Sequence, residues 1–240
     1  MASGQGMDRR RRLRKASNWF ALLCGLYLGT AYFVLPAFWT WRDHGLGAGH
    51  EMVTRTPQGI LGDPINVGLV GSRTDVIHAF EVAKWDPADA VTLKSAIEIG
   101  ESVLFDRSYP DAPVSPLLFE GRPQDLAFEK PVGVSADRRH HVRLWRTEET
   151  GIDGRPLWLG SASFDRGVGL SHDTGAITHD IAPDIDAERD FLFDSLQQAD
   201  VLASTMEIAG IGATKDGRNG EGDRYFTDGK ARIGVLRPLP

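Results

Sequence analysis

RRHHVRLWRTEETGIDGRPLWLGSASFDRGVGLSHDTGAITHDIAPDIDAER, residues Arg138 to Arg189, is the stretch that decides the fold. Arg139 to Arg146 alternates as a strand does. One face carries Arg139, His141, Arg143 and Trp145, and the other His140, Val142, Leu144 and Arg146. The adjacent histidines therefore point to opposite sides. Asp153-Gly154 is a turn signal, and Leu157 to Phe164 is the returning strand. Val168 to His172 and Ala176 to Ile181 flank Asp173-Thr174-Gly175 as a second hairpin. After Pro183 a helix starts at Asp184 or Asp186 and buries Phe191, Leu192, Ser195 and Leu196.

Upstream, Ile65 to Val70 is β-prone and ends at Gly71. Ser72 then opens a helix, with Asp75 three residues on as in a capping box, and Val76, Ala79, Phe80 and Ala83 form its apolar stripe. Leu93, Ala96, Ile97, Gly100, Val103 and Leu104 have the spacing of a further helix. Leu117–Phe119 and Asp125–Glu129 read as strands around the turn at residues 120–123. Downstream, Val201 to Ala209 is a strand and Gly210 to Asp223 a mobile loop. Tyr225–Thr227 and Lys230–Leu236 make a last hairpin across Asp228-Gly229. Helices and antiparallel strands without a βαβ rhythm predict an α+β fold: a single domain with a mixed, mainly antiparallel sheet and about three helices.

The chain before this domain has another character. No charged residue occurs from Ala16 to Trp41. Trp19 to Trp39 supplies the roughly 20 apolar residues a bilayer-crossing helix needs, with tryptophans at both ends. Pro36 bends or ends that helix. Residues 1–15 hold six of the 27 basic and one of the 33 acidic residues, a local net of +5. The remainder has 21 basic against 32 acidic residues, a net of −11. The positive-inside rule keeps the basic end cytoplasmic and exports the rest. The expected division is a cytoplasmic tail over 1–15, a transmembrane anchor over 16–41, a glycine-rich tether over 42–62 and an exported domain over 63–240. An acidic domain is unsuited to nucleic acid. The lone cysteine, Cys24, lies in the anchor and excludes an intramolecular disulfide.

Four of the seven histidines, His140, His141, His172 and His179, fall in the opening stretch with Asp165 and Asp180. Three chemistries are open there. One is a divalent-metal site, such as zinc, with His141, His172 and His179 as candidate ligands. If His172 pairs with Ile177 across the turn, His172 and His179 share a face; if it pairs with Ala176, they do not. The second is a phosphoester or other anion site held by Arg139, Arg143 and His172, with His141, His179, Asp165 and Asp180 as candidate acid, base or nucleophile. The third is no catalysis: an accessory module in contact with the bilayer and with other envelope membrane proteins. No G-x-S-x-G elbow, H-E-x-x-H motif or P-loop lysine is present. Consecutive hairpins predict one polar pocket shared by His141 and His179, beside Asp165, Asp180 or Arg143.

Several motifs carry a resemblance: DPINVGLVGS (Asp63–Ser72), APVSPLLFEGRPQDLAFEKPVG (Ala112–Gly133), RHHVRLW (Arg139–Trp145), PLWLGSASFDRGVGLSH (Pro156–His172) and ITHDIAPDIDAERD (Ile177–Asp190). Together they resemble the LssY C-terminal domain family over about Asp63 to Leu196. The resemblance implies an envelope-associated bacterial domain. Some relatives join it to multi-helix membrane modules, including ones similar to lipid phosphatases of the phosphatidic-acid type. The KxxxxxxRP and PSGH signatures of those phosphatases are absent here, so the resemblance assigns no chemistry to individual residues.

Overall fold

The computed structural model describes residues 3–35, 37–38, 52–88, 117–133, 138–151, 153–171, 175, 177–210, 217–220 and 222–239. Within them, the side chains of residues 3–13, 168, 177–179 and 209 are not described. Helix α1 (Ser3–Gly29) runs through the basic segment into the apolar one and widens into a π-helical turn, Thr30–Val34. There the Leu35 N–H donates to Thr30 O, five residues back. Pro36, expected to bend or end the helix, lies outside the described residues. Residues 14–34 are long and apolar enough to cross a membrane, and almost none of this span is buried against the rest of the protein.

The domain is α+β. Its main sheet has eight strands, seven of them in the order β11–β14–β3–β9–β8–β7–β4, with β10 also pairing β9. These are β3 (Val67–Val70), β4 (Asp86–Pro87), β7 (Leu126–Pro131), β8 (Arg139–Thr150), β9 (Pro156–Leu170), β10 (Ile177–Ile181), β11 (Leu202–Ala209) and β14 (Lys230–Leu236). Only β14 and β3 run parallel; the other pairs are antiparallel. Two helices, α2 (Arg73–Val82) and α3 (Ile185–Gln198), cover one face. The helix expected over Leu93–Leu104 lies outside the described residues.

Local chemistry starts both helices. Ser72 Oγ accepts from the Asp75 N–H at 3.1 Å, while Asp75 Oδ2 accepts from the Ser72 N–H at 2.8 Å, the reciprocal bonds of a capping box. Asp184 Oδ1 accepts from the Ala187 N–H at 3.0 Å and caps α3. Val76, Ala79 and Phe80 of α2 and Leu192, Phe193 and Leu196 of α3 meet Phe128, Val142, Leu144, Trp158 and Ala162 of the sheet in the main core. Phe80 stacks on Phe128 with ring centroids 4.1 Å apart.

The opposite face of the sheet is polar, and smaller elements cover it. One is a four-stranded sheet, β2–β1–β5–β6, from β1 (Val53–Arg55), β2 (Leu61–Pro64), β5 (Leu118–Phe119) and β6 (Arg122–Pro123). The other is the hairpin of β12 (Gly217–Arg218) and β13 (Arg224–Tyr225).

Four expectations change. The tether over 42–62 is partly structured, because β1 and the start of β2 lie inside it. The two strands expected at Leu157–Phe164 and Val168–His172 are one continuous β9, which pairs β8 on one side and both β3 and β10 on the other. A bulge between Asp180 and Ile181 lets β9 serve both registers. Part of the loop over 210–223 is a packed hairpin with Asn219 and Asp223 buried; residues 211–216 lie outside the described residues. Finally, Tyr225 pairs with Gly217 rather than with Lys230–Leu236, whose neighbours are β11 and β3.

Candidate functional site

The polar face is a grid set by register. Glu129, His141 and Ser163 stand in one row across β7, β8 and β9; Arg143 and Ser161 stand in the next; Arg139 and Asp165 in the one before. All seven are buried. Strand alternation alone puts them on one side, and the pairing brings acid beside base.

Arg139 Nη1 donates to Glu129 Oε2 at 2.7 Å and its Nε to Asp165 Oδ2 at 3.1 Å. Arg143 Nη1 lies 2.8 Å from His141 Nε2 and 3.4 Å from Asp63 Oδ2. A guanidinium only donates, so His141 Nε2 accepts and the ring proton is assigned to Nδ1. That Nδ1 is 3.2 Å from Asp165 Oδ2, an ion-pair distance, yet the direction is unfavourable and it makes no hydrogen bond. Ser163 Oγ donates to Asp63 Oδ2 at 3.4 Å.

The hairpin above closes this layer. Asn219 Nδ2 donates to Asp63 Oδ1 at 3.4 Å, and Asp223 Oδ2 accepts from the Ile181 N–H at 3.0 Å. Tyr225 is buried close by, and burial first, then the Asp63 carboxylate, pushes its phenol up to about 12. Glu129 has no exposure at all. Burial pushes its carboxyl up to about 8, and Arg139 reverses only part of that.

Between the layers lies a cavity of about 30 Å³, lined by Asp63, Arg139, His141, Arg143, Asp165 and Ile181 among others. That is room for about two water molecules. Its charged walls balance as two arginines and two aspartates, each arginine paired with an aspartate.

The structure thus brings Arg139, His141, Arg143 and Asp165 together. It does not bring Asp180 to them. Asp180 lies opposite Gly167, and successive residues of β10 alternate faces, so it turns away from the side where Ile181 lines the cavity. His179 occupies the register position opposite Val168, with its side chain outside the described residues; His172 lies outside them altogether. The proposed metal set of His141, His172 and His179 and the shared His141–His179 pocket rest on those two. Among the described residues, no three His, Cys, Asp or Glu side chains are grouped to hold a metal ion.

His140 faces the helices. Its Nδ1 is 2.7 Å from Glu188 Oε2, and its ring stacks on Phe191 at 3.7 Å between centroids. Burial raises the Glu188 carboxyl and His140 opposes it.

Asp63, Glu129, Asn219 and Asp223 escaped the sequence reading. Glu129 alone had a signal, its odd-numbered parity in a strand pairing with β8. Asp63 meets Arg143 across 80 residues of chain, Asn219 meets Asp63 across 156, and Asp223 meets Ile181 across 42.

No curated protein and no solved structure matches the chain. A family model described as LssY C-terminus matches residues 48–231, beginning before β1 and ending inside β14, so that it takes in the sheet except most of β14, both covering layers and the buried polar grid. The chain belongs to the LssY C-terminus family.

Proposed function

We propose that the chain is a single-pass inner-membrane protein of the bacterial envelope. Its arginine-rich start is cytoplasmic, and its LssY_C domain is exported as a binding or accessory module without catalysis. The observation that supports this is the mutual engagement of the groups a hydrolase would use. Arg139 is held by Glu129 and Asp165, and Arg143 by His141 and Asp63, behind a cover of strands and around a water-sized cavity. Gripping a phosphate with these guanidiniums would require breaking buried ion pairs, at a cost of about 3–5 kcal/mol each.

One observation favours the alternative, a metal- or anion-dependent hydrolase acting on a phosphoester or lipid. His141 Nδ1 is buried at the cavity wall without a hydrogen-bond partner, and a buried polar atom needs a water or a ligand. The two readings separate by assay. The full chain in detergent is tested for turnover of a chromogenic phosphomonoester and of phosphatidic acid, and its metal content is measured. No turnover and no stoichiometric metal are expected. Turnover abolished by His141→Asn would replace the accessory reading with the hydrolytic one.

A further inference from the structure

Among the described residues, the two ends of the seven-strand path of the main sheet are treated differently. One ends in β4, which is two residues long and contains Pro87. A short strand with a proline cannot accept a further strand, a usual protection of sheet edges. The other ends in β11, LASTMEIA, eight residues with no proline and no lysine. Among the described residues β11 pairs only with β14, and its far side is unpaired. Ala203 through Glu207 are all exposed, so side chains on both faces of the strand stand in solvent. The one irregularity that could twist this edge away lies at its start, between Leu202 and Ser204.

We propose that β11 pairs with β11 of a second copy of this chain, antiparallel about a two-fold axis at Met206. Self-pairing closes after two copies and leaves neither β11 edge free. This register sets Glu207 opposite Thr205 of the other copy and Ile208 opposite Ser204. Glu207 is the strand's only charged residue and already bonds Lys230 at 2.7 Å. A two-fold at Glu207 itself would press two carboxylates together; the Met206 register keeps them apart. Ser204, Met206 and Ile208 share the face of Val235, Ile233 and Ala231 of β14. Ile208 there packs on the apolar cluster of Val70, Ile233 and Val235. Met206, 42% exposed, would meet its own copy between the two clusters and join them into one covered apolar strip.

The test uses the full chain in membranes, with Cys24→Ser as background. Met206→Cys should cross-link to a dimer under mild oxidation, whereas a control cysteine at His78, exposed on α2, should not. Absent cross-linking at 206, or equal cross-linking at 78, overturns the proposal. In detergent, the protein mass should be that of two copies and halve in Met206→Lys and in Met206→Glu. Co-expression of the two variants should restore a mixed dimer. A dimer that persists in either single variant places the contact elsewhere and overturns it too.

Discussion

Glu129 shows how a single residue can set a pH response. Its Oε2 accepts from Arg139 while its Oε1 has no partner, in a position without solvent. Its carboxyl titrates at about 8 in the fold against an ordinary 4.5. Between those values the folded state holds more protons than the unfolded one, so this residue's stabilisation is complete below about 4.5 and is lost as pH rises through about 8. Wild-type stability should fall over that window relative to Glu129→Gln, which keeps the shape and cannot ionise. Denaturant midpoints of the two proteins at pH 5 and pH 9 check it; parallel pH profiles would refute it. His140 and His141 were legible at this scale, because adjacent strand residues take opposite faces whatever the sheet. Asp63 was not, because nothing local marks an aspartate as the partner of an arginine 80 residues on.

Among the elements, β9 pairs with three strands, and at Gly160 its neighbours on both sides come close. A Cβ there would stand 2.6 Å from Leu144 Cδ2, 2.7 Å from Arg143 O and 2.9 Å from Val67 Cγ2. The carbonyl belongs to a paired strand and cannot step aside. Gly160→Ala should therefore destabilise the domain by about 1–3 kcal/mol, as overpacking does, although alanine suits a strand no worse than glycine. Gly154→Ala at the open β8–β9 turn meets no neighbour but has φ of +79°, so its cost is backbone strain alone. Thermal denaturation of Gly160→Ala beside wild type measures the effect, and an unchanged midpoint would contradict the close approach. The capping box at Ser72–Asp75 was readable from sequence because its three-residue spacing is local. The continuity of β9 was not, since one strand with three partners looks in sequence like two strands.

For the molecule as a whole, β1 changes where the domain begins. The sequence places a tether up to residue 62, but Thr54 Oγ1 donates to Asp63 O at 2.8 Å, and Arg55 pairs with Leu118. A chain lacking residues 1–47 should leave the membrane fraction and fold. A chain starting at Gly59 loses β1 and should be less stable by at least about 1 kcal/mol, by the loss of one buried hydrogen bond alone. Full-length protein should stay with membranes after an alkaline wash. Fractionation and melting of the three chains test this; full-length protein in the soluble fraction would remove the anchor reading.

Local rules determined the apolar N-terminal run, the two capped helices, the alternation of β8 and the α+β class. Each follows from spacing within a few residues: 3.6 along a helix, 2 along a strand, about 20 across a bilayer. Tertiary structure alone decided which strands share an edge, that β1 belongs to the domain, and that Arg139 and Arg143 are neutralised rather than open. An ion pair forms between side chains that the fold carries together: Asp165 meets Arg139 from the adjoining strand, 26 residues on, Asp63 meets Arg143 from β2, 80 residues back, and Asn219 of the hairpin bonds Asp63. Burial then sets their chemistry, because a charge removed from water must find its partner inside.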